Sequence, residues 1–81
     1  MDDAELVRRI GELAAEEQSL HEAAAGPEGL TDQHRGRLHD LEVALDQCWD
    51  LLRQRRARRR AGEDPDDAEV RPEEVVERYQ Q

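Results

Sequence analysis

Apolar residues recur at helical spacing along two stretches of the chain, and nowhere do they alternate as a half-buried strand would require. In the first stretch Leu6, Ile10, Leu13 and Leu20 stand four, three and seven residues apart, a heptad seam with one place filled by Glu17. A carboxylate there belongs at the seam's edge with its head in water. In the second stretch Leu38, Leu41, Leu45, Cys48 and Leu52 follow a three-four-three-four spacing. Each pattern predicts an amphipathic helix.

Boundary signals frame both helices. Asp2, with Glu5 three residues on, has the spacing of a capping box and starts the first helix at Asp3. That helix runs to about Ala25, where Gly26, Pro27 and Gly29 break it. Thr31 is a good N-cap for a second helix from Asp32 to about Ala61, with Gly62 as its stop. The intervening loop is about six residues, short enough to make the helices antiparallel neighbours. Residues 1–62 are therefore expected to form a helical hairpin, with Leu20 near Leu38, Leu13 near Leu41 and Leu45, and Leu6 near Cys48 to Leu52. The competing arrangement is one continuous helix opened at Gly26 to Gly29, as in an exchanged dimer.

Residues 63–81 change character and form an acidic tail. Asp64 as cap and Pro65 at the first helical position begin a short turn, Pro72 interrupts, and PEEVVERYQQ permits a short third helix with Val75, Val76 and Tyr79 on one side. Ten residues do not hold a helix alone in water, so this segment docks or stays mobile. The second helix also has more apolar width than one neighbour can cover, at Ala44, Leu45, Cys48, Trp49, Leu51 and Leu52. Two coverings are open: a homodimer completing a four-helix bundle, or the chain's own tail through Val70, Val75, Val76 and Tyr79.

Composition agrees with an all-α chain of one small domain. The 81 residues include no Phe and only Trp49 and Tyr79 as aromatics, so the core is small and a partner copy is expected to complete it. Charge is unevenly placed: residues 1–52 hold thirteen acids and four arginines, residues 53–60 hold six arginines, and residues 61–81 hold eight acids and two arginines. The net charge of -9 repels nucleic acid and anionic membranes at long range. All twelve basic residues are arginine, which fits a GC-rich coding genome. A single cysteine excludes an intrachain disulfide framework and fits a reducing cytosol. No signal peptide or membrane-length apolar run is present, so a cytoplasmic protein is expected.

The candidate interaction residues are Trp49, Arg53, Arg55, Arg56, Arg58, Arg59 and Arg60. Six guanidiniums suit phosphates, but they also complement a helix C-terminus and the acids around them. The register sets Arg53, Arg55 and Arg56 near Asp2, Asp3 and Glu5, and Arg58 to Arg60 are followed by Glu63, Asp64, Asp66 and Asp67. Internal neutralisation is the expectation, and nucleic-acid binding the alternative. Cys48 reads as a small buried hydrophobe and Trp49 as filling a helix interface. Asp46 and Asp50 read as a solvated face, or as partners for Arg53 and Gln54. His21, His34 and His39 lack the spacing that sets two imidazoles on one helical face. No metal site, cofactor site or catalytic motif is expected, and an enzyme is not.

The run LDQCWDLLRQRRA, the later AGEDP and VRP, the closing VERYQQ and the early IGELAAEE resemble a family of small actinobacterial proteins catalogued as domain of unknown function 2630. The likeness covers nearly the whole chain. It implies a cytosolic bacterial protein of this length and carries over no functional residues. The function expected is a non-catalytic helical interaction or scaffolding module. Polyanion binding through Arg53 to Arg60 is one alternative, and a small-molecule or metal-responsive protein using Cys48, Trp49 or the histidines is the other.

Overall fold

Helix boundaries follow from the capping chemistry. The computed structural model describes the backbone of residues 1–80 and the side chains of residues 1–77. Helix α1 spans Asp3–Ala24, and the Asp2 carboxylate accepts the Glu5 backbone N–H at 2.8 Å. Helix α2 spans Asp32–Arg60, and the Thr31 hydroxyl accepts the His34 N–H at 3.1 Å. Its far end closes with Glu63 N–H donating to Arg58 C=O at 2.8 Å and Gly62 N–H to Arg59 C=O at 3.2 Å. This Schellman pair needs a left-handed residue after the cap, and Gly62 supplies it at φ 76°. A short 3-10 turn at Pro65–Asp67 and helix α3 at Glu73–Gln80 follow.

The described residues are all-helical, with two long helices and a short third. Helices α1 and α2 are antiparallel, stitched at both ends. Near the loop Arg37 binds Glu16 through both guanidinium edges, Nη2 at 2.8 Å from Oε1. At the open end Arg55 Nε reaches Asp3 Oδ1 at 2.7 Å. Between these ties Leu6, Ile10, Leu13, Leu38, Leu41 and Leu52 are buried, as the two seams require. Fully burying each such side chain contributes about 1.5–3 kcal/mol. Leu6, Ile10, Leu51 and Leu52 form one cluster, against which Leu45, Cys48 and Ala68 pack.

The tail lies along α2. Val76 is 1% exposed and Val75 is half-buried, whereas Val70, expected to share this covering, is 61% exposed. Tyr79, the fourth expected contributor, lies outside the described side chains. Among the described residues α1 and α3 both pack on α2 and not on each other. The molecule is consequently a slab of 53 × 25 × 16 Å, with α2 as its spine.

Candidate functional site

The arginine-rich end of α2 is the meeting point of three segments. Arg55 is 6% exposed. Its guanidinium donates to Asp3 of α1, to the Pro65 carbonyl at 3.2 Å and to the Asp66 carboxylate at 2.9 Å. Arg59 binds the other oxygen of Asp3. Arg59 and then Arg55 hold the Asp3 carboxyl well below its ordinary 3.8, at about 2. Asp3 and then Asp66 in turn hold the Arg55 guanidinium above its ordinary range. Arg58 Nη1 reaches Glu63 at 3.1 Å. Most of the run's charge is therefore met inside the chain.

The detailed register differs from expectation. Asp3 is met by Arg55 and Arg59, not by Arg53 or Arg56, because residues four apart on a helix share a face. Arg53 turns back to Asp50 at 3.7 Å. Arg56 and Arg60 have no ion pair among the described residues, and with Arg59 they line an open surface depression.

Asp50 is a correction to the solvated face expected from its spacing. It is 0% exposed. Arg71 of the tail covers it, donating through Nε to Oδ2 at 2.9 Å and through Nη2 to Oδ1. Gln54 adds a bond to Oδ2 at 2.9 Å, so both acids' expected neighbours, Arg53 and Gln54, do serve Asp50. Arg71, then Gln54, push the Asp50 carboxyl below its ordinary range against the cost of burial. Gln54 also donates to the Glu69 carbonyl at 2.8 Å and Gln47 to the Arg71 carbonyl at 3.3 Å. These bonds fasten an irregular strand of tail whose own backbone has few local partners. Sequence reasoning missed this clamp; its one visible signal was Arg71, an arginine isolated among the tail's acids.

Trp49, expected to fill a helix interface, stands 45% exposed in the single chain, where α1 and the tail pack on α2. On another side of α2 lies a groove of about 190 Å³, lined by Leu6, Leu13, Ala44, Cys48, Leu51 and Val70 among others. Burial there pushes the Cys48 thiol up. Among the described residues no three His, Cys, Asp or Glu side chains are grouped to hold a metal, and no helix is long and apolar enough to cross a membrane.

The model of a family described as protein of unknown function (DUF2630) matches residues 2–81. The chain belongs to this family. Relatives from Mycobacterium tuberculosis and Mycobacterium bovis, each named an uncharacterized protein, are 46% identical over 78 residues, covering 95% of this chain and 88% of theirs. No solved structure matches. The family match runs through the arginine end, the Asp50 clamp and α3 alike, so all three belong to the matched region.

Proposed function

We propose that this DUF2630 protein is a non-catalytic helical interaction module of the cytoplasm that acts as a homodimer. The observation that carries this is Trp49, a large aromatic left 45% exposed midway along a helix on which α1 and α3 both pack. Helical domains bury their apolar stripes between packed layers, and a slab with α2 as its spine leaves its broad faces open. A partner helix pair laid on such a face makes a four-helix arrangement. The lone cysteine, unpaired in any disulfide, supports the cytoplasmic part of the reading.

Sedimentation equilibrium of the full chain tests it. The expected mass is about twice 9.3 kDa. A 9.3 kDa species throughout the accessible concentration range overturns the homodimer.

A second reading, polyanion binding, is favoured by Arg56 and Arg60, which stand exposed and unpaired among the described residues. It is opposed by the internal partners of Arg53, Arg55, Arg58 and Arg59 and by a net charge of -9. Under it, oligonucleotide affinity falls steeply with salt and disappears when Arg56 and Arg60 become glutamine. Absence of binding at low salt eliminates it.

A further inference from the structure

We propose that a second copy of this chain docks antiparallel on the exposed stripe of α2 centred on Trp49, with α2 lying against α2. This rests on the self-association reading and adds the surface and the orientation.

Glu42, Trp49, Arg53, Arg56 and Arg60 follow one another at spacings of seven, four, three and four, so helical geometry puts them on one stripe. All five are exposed. The stripe has a direction. Glu42 lies on the N-terminal side of Trp49, with half-buried Asp46 beside it, and the three arginines lie on the C-terminal side. Glu42, Arg56 and Arg60 make no ion pair among the described residues, although the other four arginines of the run, Arg53 of this stripe among them, do. Of the run's six arginines, the two without an acid partner among the described residues, Arg56 and Arg60, both lie on this stripe.

A stripe acidic on one side of its midpoint and basic on the other complements itself only when one copy is reversed. A two-fold axis at Trp49 does this, and it gives the self-complementary contact expected of a symmetric dimer. Counting seven residues each way from Trp49 sets Arg56 opposite Glu42 of the second copy, and the symmetry repeats the pair. Arg53 falls opposite Leu45 and beside Asp46 of the second copy. A parallel pairing would set Glu42 on Glu42 and Arg56 on Arg56, and such like-charge contacts disfavour an interface. A central aromatic ringed by charged groups also matches the anatomy of energetically dominant interface sites. A polyanion would engage the arginine half alone and leave Glu42 with no role.

The experiment is a charge exchange read by sedimentation and by the emission of the single tryptophan. Glu42→Arg and Arg56→Glu, each alone, are expected to weaken homodimerisation by about tenfold or more, since each places like charges at both symmetric positions. An equimolar mixture of the two variants restores opposite charges at both positions. It is expected to form the heterodimer with affinity near that of the unaltered chain, and the double variant E42R/R56E is expected to regain its homodimer. Trp49 emission of the unaltered chain shifts to the red on dilution through the dissociation range. Dimers unaffected by either single variant, or a mixture that stays monomeric while both variants remain helical, overturn the stripe but leave self-association standing. So does a Trp49 emission unchanged between dimer and monomer. An unaltered chain that never associates overturns both.

Discussion

Asp50 shows how far a residue's role can depart from its local spacing. Its position four residues after Asp46 places it on a polar helical face, and nothing within a helical turn calls for burial. The cause lies at Arg71, twenty-one residues later, whose guanidinium and backbone carbonyl are both bound to α2. Such a pair is legible only once the tail's path is known. Removing one partner of a buried ion pair costs about 3–5 kcal/mol when the other stays buried. The Arg71 side chain is 32% exposed and can turn to water, which lowers the cost. Asp50→Ala is therefore expected to destabilise tail docking by about 2 kcal/mol. Amide exchange should quicken across residues 65–77 while the α1–α2 contact keeps its protection. Asp3 gives a second residue-scale expectation. Its folded-state carboxyl lies at about 2, below the ordinary 3.8, so its ionised form stabilises the fold above the higher value. That contribution drains as pH falls from 3.8 towards 2, and the depressed Asp50 carboxyl adds in the same direction. An acid titration followed by circular dichroism should show the loss below pH 3.8, with Asp3→Asn flattening it.

At the scale of elements, the two long helices were legible and the tail was only half so. The caps at Asp2 and Thr31 and the stop at Gly62 are local chemistry, and each appears where its residue type dictates. The seam leucines are buried for the same reason, since heptad spacing needs no knowledge of the rest of the chain. Helix α3 is different: an eight-residue helix has no stability of its own, and its formation depends on burying Val76 against α2. Trp49 stands exposed in the single chain for a related reason. Its distance from the seam was readable, but which flank of α2 the tail would occupy was not. Helix α3 also carries an electrostatic fault. Glu73, then Asp46 and Glu74, surround Glu77 and raise its carboxyl above its ordinary range. A raised acid favours the folded state while protonated, so its destabilising charge develops as pH rises through that raised value. Glu77→Gln is expected to tighten α3 at neutral pH, seen as slower exchange of the α3 amides. An unchanged rate would mean that solvent already screens the repulsion.

For the whole molecule the slab shape and the charge distribution act together. Removing residues 63–81 takes away Glu63 and Asp66, frees Arg58 and releases one of two acids from Arg55. It also bares the α2 surface that Val76 and Ala68 cover. The shortened chain is expected to keep both long helices by circular dichroism. It should bind an oligonucleotide at low salt and lose that binding as salt rises, a behaviour not expected of the full chain. Equal binding by both forms would show that the tail does not shield the run. The contact between Asp3 and Arg55 carries one more consequence, which concerns the order of events in folding. Those residues are fifty-two apart in sequence, and Arg55 then needs Asp66 to complete its bonds. Closing so long a loop forfeits chain entropy before any contact repays it. The short-range turn at Gly26 to Gly29 is expected to bring Glu16 and Arg37 together first, since zipping from that end is the inexpensive route. Asp3 and Asp66 are then expected to close last, a step that gathers two distant acids around a single guanidinium.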